Sequence, residues 1–276
     1  MRELTLEEIK SSELEVLKEI HKICREQNIS YSLAGGTLLG AVRHGGFIPW
    51  DDDIDIFMPR QDYEKLIDYC KNNETGFKLL ASETDDRYGY LFAKAMDMKT
   101  VLIEENGNPK NIDMGVFVDI FPVDGLGESY EKAVKTLNST RFKRELLVAR
   151  NWKKFFRSKT RSWIYEPVRF AFFVMSRFTS EKKLIKSIQE KSKKTAFDDS
   201  KYIGCICGSY RTKEILEKGV FDEYTEIAFE DTSFMVIKEY DKYLSSIYGD
   251  YMKLPPEEKR VTHHTFKAYV RDQEEQ

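Results

Sequence analysis

The chain begins with apolar side chains that recur every three or four residues, which is the spacing of one helix face. They predict an amphipathic helix over residues 5–27 and are Leu6, Ile9, Val16, Leu17, Ile20 and Cys24. A strand-like run, ISYSLAG, follows at 29–35, and apolar residues from Thr37 to Val42 predict one or two helical turns. The next segment, DIDIFM at 53–58, alternates charged and apolar residues. This period is typical of a strand with one wet and one dry face.

The remaining pattern divides the chain into three parts. Helical spacing resumes from Gln61 to Lys71, and strand-like segments follow as FKLLAS, YLFAKAMD, TVLIEE and GVFVDIFPVDGL. From Glu128 to about residue 195 the spacing is helical, with an interruption at Pro167. A strand, YIGCICGSY, and a short helix then follow. We expect an α+β fold in which 1–127 forms a core of a small mixed sheet flanked by helices, 128–200 a helical insert, and 201–276 a part that completes the core.

Charge separates the insert from the rest of the chain. The formal net charge of the 276 residues is -3, but residues 141–194 contain 17 Lys and Arg against 4 Asp and Glu, so they carry +13 and the remainder carries -16. The four cysteines show no paired Cys-x-x-Cys clusters and are expected to be reduced thiols. The first ten residues lack the apolar run of a signal peptide, and the longest uncharged apolar stretch, 170–176, is too short to span a bilayer. We therefore expect a cytoplasmic protein.

Four aspartates, Asp51, Asp52, Asp53 and Asp55, lie within five residues of one another. Like charges repel, so this crowding suggests that a cation binds there. If DIDI is a strand, Asp53 and Asp55 point to the same side and can share one ion. Asp119, alone in an apolar strand, could join them from a neighbouring strand. Carboxylates together with substrate phosphates are the usual ligands of magnesium.

A glycine pair, Gly35 and Gly36, precedes these aspartates. Glycines after a strand let the backbone approach a phosphate, and the following helix offers unpaired N–H groups to an anion. A lone glycine pair is weak support because turns use it often. The pair, the aspartates and a third aspartate on a later strand together indicate metal-assisted phosphoryl or nucleotidyl transfer.

Four segments resemble the LicD family. They are GGTLLGAVRHGGFIPWDDDIDIFMPR at 35–60, FAKAMDMKT at 92–100, FVDIFPVDG at 117–125 and YGDYMKLPPEEKR at 248–260. The resemblance spans most of residues 30–265, but nothing in about 128–200 matches a family motif. It implies a nucleotidyltransferase-fold core, and the family includes bacterial phosphocholine transferases and relatives of fukutin.

The resemblance also implies roles for particular residues. Gly35 and Gly36 match the glycine pair of the fold, Asp53 and Asp55 match its metal-binding carboxylates, and Asp119 matches the third acidic position. The implied ion is Mg²⁺, with Mn²⁺ as the alternative. The implied reaction moves phosphocholine from CDP-choline to a sugar hydroxyl of a cell-surface glycan precursor. Glycerol phosphate or ribitol phosphate would require only a small change in one pocket.

The remaining polar candidates are assigned to substrate. Phosphate oxygens are expected to meet fixed cations or the start of the helix, and the candidates for this contact are Thr37, Arg43, His44, Lys94, Arg260, His263 and His264. Asp51 and Asp52 would bind the acceptor, or a choline ammonium together with Trp50. Taken singly, each of these residues is equally well explained as part of a charged surface or loop.

Three rival interpretations are weighed against this one. A glycosyltransferase could use Asp53 and Asp55 as a D-x-D motif for manganese and a nucleotide sugar, but the upstream glycine pair argues against it. A calcium loop starting at Asp51 would need Gly where the chain has Ile56 and Glu where it has Asp62. A non-catalytic scaffold has no support because all three carboxylates are present.

The basic segment 141–194 interleaves its charges with aromatic residues, which suits a helix lying on an anionic membrane surface. Its alternative is an ordinary helical insert with aromatics in its core and solvated lysines. Nucleic acid is not expected as a partner, because the remainder of the chain is acidic. The expected partners are a CDP-alcohol, a lipid-linked or oligosaccharide acceptor and, through this segment, the inner face of the cell membrane.

Overall fold

The fold is taken from a computed structural model, which describes residues 1–104, 112–158, 162–260 and 266–272. Its α-helices are α1 Leu6–Gln27, α2 Gly35–His44, α3 Arg60–Asn72, α4 Tyr130–Ser139, α5 Arg141–Arg150, α6 Glu166–Arg177, α7 Glu181–Ser192 and α8 Tyr240–Tyr248. Its strands are β1 Ser32–Leu33, β2 Ile54–Pro59, β3 Lys78–Leu80, β4 Ala93–Met96, β5 Thr100–Glu104, β6 Phe117–Gly127, β7 Tyr202–Gly204, β8 Leu216–Glu217, β9 Tyr224–Phe229, β10 Thr232–Ile237 and β11 Phe266–Val270. Short 3₁₀ turns lie at Trp163–Tyr165, Arg211–Glu214, Lys218–Phe221 and Glu257–Lys259.

The opening helix is confirmed almost to the residue. Thr5 caps α1 by accepting a hydrogen bond from the backbone N–H of Glu8, whose carboxylate accepts one from the N–H of Thr5 at 2.9 Å. Asn28 ends the helix in the left-handed conformation, at a φ of 51°. The apolar stripe of α1 is buried and packs against β2 and β6. Local capping signals and the apolar stripe therefore agree on this element.

The central sheet is mixed, which confirms the α+β class. Its strand order is β1-β2-β6-β4-β3, and β7 pairs with the far end of β6 and with β8. Strands β2 and β6 run parallel, whereas β4 runs antiparallel to β6. In this register Asp55 lies opposite Asp119, and Asp119 lies opposite Lys94. The sheet thus brings three charged residues, far apart in sequence, to one level of neighbouring strands.

Two predicted strands are shorter in the structure. The first comprises only Ser32 and Leu33, because the chain turns into α2 at Gly35. Of YIGCICGSY, only Tyr202–Gly204 is a strand. The prediction that Asp53 lies within its strand is wrong, since β2 begins at Ile54. Asp53 nevertheless lines the same cleft as Asp55.

The helical segment between β6 and β7 contains α4 to α7 and shares a second apolar core with the end of the sheet. Leu126 of β6, together with Ile206 and Ile215, packs among leucines and isoleucines of α4, α5 and α7. Pro167 was predicted to interrupt the helical segment. In the structure it lies in the first turn of α6. A proline is tolerated there because the first N–H groups of a helix have no intrahelical partner. No helix within the described ranges combines the length and apolarity needed to cross a membrane.

The C-terminal part packs back on the main core. Strands β9 and β10 form a hairpin, and α8 follows it directly. Phe229, Phe234 and Tyr243 from these elements are fully buried among residues of α1, β1 and β2. Strand β11 pairs antiparallel with β5.

Candidate active site

A cleft of about 820 Å³ opens at the start of α2 and contains three of the four clustered aspartates. We call it the aspartate cleft, and its lining residues are Gly36, Leu39, Arg43, Ile48, Trp50, Asp51, Asp53, Asp55, Ser209, Tyr210, Tyr248, Asp250, Tyr251, Lys253, Leu254, Pro255 and Pro256. The walls therefore come from α2, the aspartate segment, the loop after β7 and the chain beyond α8. Two segments far apart in the sequence, 36–55 and 209–256, are needed to form it.

The glycine pair makes room for the aspartates. A Cβ added at Gly36 would lie 2.5 Å from Oδ2 of Asp51, and one at Gly35 would lie 3.1 Å from Oδ2 of Asp55. Gly35 also has a φ of 52°, in the left-handed region that favours glycine. The carboxylates of Asp51 and Asp55 thus lie against the N-terminal turn of α2, where the helix dipole and the N–H groups attract negative charge. The contact of a substrate phosphate with this turn stays a prediction.

Hydrogen bonds fix Asp55 relative to α2. The backbone N–H of Asp55 donates to Oγ1 of Thr37 at 2.8 Å, and the N–H of Ala34 donates to the carbonyl of Asp55 at 2.9 Å. The N–H of Gly35 donates to the hydroxyl of Tyr243 at 3.0 Å. Thr37 is buried and does not line the cleft, and its hydroxyl positions Asp55. Its predicted contact with substrate stays a prediction.

Asp119 is held by an ion pair in the interior. Nζ of Lys94 lies 2.6 Å from Oδ1 of Asp119, and the two side chains are only 6% and 15% exposed. The same ammonium lies 3.3 Å from the centre of the Phe117 ring. Lys94 was predicted to meet substrate phosphate, but it is not among the residues that line the cleft. In the structure it orients and neutralises Asp119, and its contact with a substrate phosphate stays a prediction.

Negative charge is crowded around Asp55. Burial raises the pKa of Asp55 well above its ordinary value, the neighbouring Asp53 and Asp119 raise it further, and Lys94 opposes the rise. A divalent cation would relieve this repulsion, and carboxylate oxygens are its preferred ligands, so the residues present fit Mg²⁺. Within the described residues, no three His, Cys, Asp or Glu side chains are grouped closely enough to hold a metal ion together. The three-carboxylate metal site, with Asp119 as the third ligand, therefore stays a prediction.

Sequence reasoning missed Glu13, which lies on α1 next to the aspartates. The residue is 2% exposed, and Oε2 has no hydrogen-bond partner within the described part of the chain. Burial raises the pKa of this carboxyl well above its ordinary value, and Asp53 and Asp52 add to the rise. The signal was present in the sequence, because Glu13 falls on the apolar stripe of α1, where a charged side chain is unusual.

Tyr210 and Tyr248 form part of the cleft wall, which we call the tyrosine wall, and were also missed by sequence reasoning. The hydroxyl of Tyr210 donates to that of Tyr248 at 3.0 Å, and the two rings meet edge to face. Glu214 supports this loop, since its carboxylate accepts a hydrogen bond from the N–H of Tyr210 at 3.1 Å. Arg43 lines the cleft and donates to the carbonyl of Tyr251 at 3.0 Å, and its contact with a substrate phosphate stays a prediction. No spacing in the sequence links Tyr210 with Tyr248, so only the fold shows the pair.

Three other predicted substrate residues, His44, Arg260 and Asp52, lie within the described part of the chain. His44 is exposed and lies beside Trp50, with ring centres 6.3 Å apart. The guanidinium of Arg260 lies 5.6 Å from the centre of the Trp50 ring, which brings this predicted residue to the cleft wall. Asp52 is buried and is not among the lining residues. His263 and His264 lie outside the described residues.

The comparisons with known proteins bear on the same residues. Residues 28–156 match a family model described as "LicD/FKTN/FKRP, nucleotidyltransferase domain". A protein of Haemophilus influenzae named lipopolysaccharide cholinephosphotransferase LicD is 33% identical over 281 residues, which cover 98% of this chain and 100% of that protein. The chain belongs to the LicD family. As predicted, it is a transferase of the LicD type.

More distant LicD relatives share a shorter segment. The mouse ribitol 5-phosphate transferase FKRP is 32% identical over 114 residues, which cover 41% of this chain and 21% of that protein. A yeast protein named mannosyltransferase regulator 4 is 29% identical over 132 residues, or 45% of this chain and 10% of its own length. The family model spans the glycine pair, all four clustered aspartates, Lys94 and Asp119, and it ends before the tyrosine wall.

Proposed function

We propose that the protein transfers a phosphorylated alcohol from a CDP-alcohol to a hydroxyl group of a cell-surface glycan precursor, with a divalent cation bound at Asp53 and Asp55. The observation that carries the proposal is the cleft in which these carboxylates lie beside the glycine pair at the start of α2. CDP-choline is the first choice of donor, because the full-length relative is named a cholinephosphotransferase and its named acceptor is a lipopolysaccharide. Ribitol phosphate is the second choice, because the mouse protein that matches a shorter segment is named a ribitol 5-phosphate transferase.

The cation is proposed to be Mg²⁺, with Mn²⁺ as the alternative. Asp53 and Asp55 would hold it, and the donor phosphates and waters would complete its ligands. When bound, it would supply positive charge to the phosphate oxygens of the donor. The crowded carboxylates support this assignment, since burial raises the pKa of Asp55 and the neighbouring Asp53 and Asp119 raise it further.

In the proposed reaction, the acceptor hydroxyl oxygen forms a bond to the phosphorus that carries the alcohol. The bond between this phosphorus and the bridging oxygen breaks, and CMP leaves with that oxygen. The hydroxyl proton passes to a base. Asp119 is proposed either as this base or as a third metal ligand, and in both roles the Lys94 ammonium at 2.6 Å fixes the direction of its carboxylate.

The donor and acceptor are proposed to meet in the cytoplasm, on the side of the membrane where nucleotide-activated donors are available. All four cysteines are free thiols, which suits a reducing compartment. The acceptor would be a lipid-linked glycan or an oligosaccharide, and nucleic acid is not expected to bind. Teichoic acid, capsule and lipopolysaccharide precursors all offer suitable sugar hydroxyls.

Release of CMP tests the proposal directly. The purified protein, with Mg²⁺ and a glycan acceptor, would be incubated with CDP-choline, CDP-glycerol, CDP-ribitol and a nucleotide sugar. We expect turnover of one CDP-alcohol, loss of activity in excess EDTA, and loss of most turnover in Asp53→Asn and Asp55→Asn. Asp231→Asn is the matched control, because Asp231 is exposed and its surface ion pair with Lys18 contributes little to stability. Full activity in EDTA would contradict the metal, and turnover of only the nucleotide sugar would favour a glycosyltransferase.

The two roles of Asp119 can be separated by donor binding. Calorimetry would measure the affinity of Asp119→Asn for the CDP-alcohol in the presence of Mg²⁺. Near-normal affinity without turnover would identify a base, whereas loss of donor affinity would identify a metal ligand. Wild-type turnover would leave Asp119 as a structural residue of the sheet.

A further inference from the structure

Helix α6 presents its apolar side to solvent. Counting the 3₁₀ turn before it, the exposed residues recur every three or four positions, so they form one stripe along the helix. Phe178 is 86% exposed, Trp163 71% and Ile164 63%. We define this stripe as the α6 face, and its large members are Trp163, Ile164, Val168, Phe170, Val174, Met175 and Phe178. A surface helix ordinarily turns its polar side outward, so the α6 face reverses the usual pattern.

The opposite side of α6 holds its polar residues in the interior. Arg169 is buried, pairs with the carboxylate of Glu166 at 2.7 Å and donates to the carbonyl of Phe156 at 3.0 Å. Its guanidinium also lies 4.8 Å from the centre of the Trp152 ring. Turning the helix to bury the α6 face would expose the ion pair of Arg169 and break its hydrogen bond and ring contact. The outward position of the apolar stripe is therefore fixed by specific interactions.

The apolar surface continues onto α5. Phe142 and Val148 are each more than half exposed, and the Phe142 ring lies 5.4 Å from that of Phe172 on α6. A groove of about 950 Å³ lies between the two helices, lined by these residues and by Val168. A continuous exposed apolar surface of this kind marks an interaction site on a folded protein.

The chain segments that adjoin α6 carry positive charge. Lys153, Lys154 and Arg157, on the segment between α5 and α6, are all exposed, and so is Lys183 at the start of α7. The whole segment 141–194 carries +13 in a chain of net charge -3. The partner must therefore be apolar and negatively charged, and a bilayer with anionic headgroups has both properties. A symmetric dimer through the α6 face would instead bring two strongly positive segments together.

We propose that the α6 face inserts into the interfacial region of an anionic lipid bilayer and attaches the protein reversibly to it. An exposed tryptophan such as Trp163 favours this depth, where the ring is in an apolar layer and its polar edge stays hydrated. Each basic residue near an anionic leaflet contributes about 1 kcal/mol, so a few of them give attachment that weakens with salt.

The attachment would bring the aspartate cleft close to the bilayer. Arg211 lines the groove beside the α6 face, and its neighbour Tyr210 lines the aspartate cleft. The two sites are thus separated by the thickness of one chain segment. Together with the proposed function, on which this point alone rests, the arrangement would let a lipid-attached acceptor reach the cleft.

Vesicle binding tests the proposal without donor, acceptor or metal, so it is independent of the proposed reaction. The full chain would be sedimented with phosphatidylglycerol–phosphatidylcholine vesicles and with pure phosphatidylcholine vesicles, at low and high salt. We expect binding to the anionic vesicles at low salt and at least about tenfold weaker binding of Met175→Glu/Phe178→Glu. Both side chains are exposed, so the double variant should remain folded. Ile103→Glu, at an exposed apolar residue of β5, is the matched control and should bind like wild type.

Tryptophan fluorescence supplies a second readout. Trp163 belongs to the α6 face, whereas Trp50 lines the aspartate cleft. The emission should move to shorter wavelength with anionic vesicles, and Trp163→Phe should lose most of that shift. Absence of binding to anionic vesicles at low salt would overturn the proposal, as would equal binding of Met175→Glu/Phe178→Glu. A stable dimer that this double variant dissociates would also overturn it and assign the α6 face to a second copy.

Discussion

A single methyl group at Gly36 should lower activity strongly without lowering stability. Gly36 is the second residue of α2, and an added Cβ would lie 2.5 Å from Oδ2 of Asp51. An ordinary contact is at least 3.4 Å, so the carboxylate oxygen must retreat by about 1 Å. This atom is the end of a flexible side chain, and the retreat therefore costs little in folding free energy. Gly36→Ala moves one wall of the cleft and leaves the backbone in place.

The two expected effects have opposite signs. Alanine is preferred to glycine in a helix by about 0.5–1 kcal/mol, so the free energy of unfolding should stay constant or rise by up to that amount. A displacement of about 1 Å in a group that positions the reactants lowers the rate by about 100-fold. A merely structural role for the glycine pair would lower stability and activity together.

Gly45→Ala is the control at the other end of the same helix. Gly45 has a φ of 72°, and no described atom lies within 4 Å of its added Cβ. The left-handed conformation makes alanine unfavourable there by about 1 kcal/mol, while the cleft is untouched. We therefore expect lower stability and an unchanged kcat/KM for this variant.

The measurements are kcat/KM from CMP release with the preferred CDP-alcohol and the free energy of unfolding from urea denaturation. Wild-type kcat/KM in Gly36→Ala would refute the reasoning, because it would mean that the place of the Asp51 carboxylate beside α2 is irrelevant to turnover. Loss of more than about 1 kcal/mol of stability would also refute it, since the backbone would then have absorbed the clash.

Two further variants test the electrostatics of the interior. Lys94→Met removes the ammonium that neutralises the largely buried Asp119, and we expect the free energy of unfolding to fall by about 3–5 kcal/mol, as for other broken buried pairs. Lys94→Met/Asp119→Asn should recover part of that loss in urea denaturation, and a double variant no more stable than the single one would contradict the pairing. Glu214 is 5% exposed, and burial raises its pKa from 4.5 to about 7. Because this folded-state pKa is above the unfolded one, the carboxyl should destabilise the fold progressively as pH rises from 4.5 to about 7 and by a constant amount above it. Relative to wild type, Glu214→Gln should therefore gain about 3 kcal/mol between pH 4.5 and pH 8, and a difference independent of pH would contradict the shift.

Local patterns in the sequence were sufficient for much of the fold. The apolar stripe of α1 and the glycine pair at the start of α2 each act within a few residues, so they can be recognised without knowing what packs against them. The aspartates, the glycine pair and Asp119 were found for the same reason, since each stands out from its immediate neighbours. The basic charge of 141–194 is likewise a property of composition alone.

The tertiary structure decided which of these residues meet. Only the strand register places Asp119 opposite both Asp55 and Lys94, and pairing across a sheet leaves no periodic trace in sequence. The same holds for the Tyr210–Tyr248 wall, whose members are 38 residues apart in sequence. The aromatic content of α6 was visible in the sequence, but its outward direction was not. That direction follows from the buried contacts of Arg169 with Glu166 and Phe156. The partners of a buried arginine are set by tertiary packing, so the sequence of α6 alone does not show which side of the helix faces solvent.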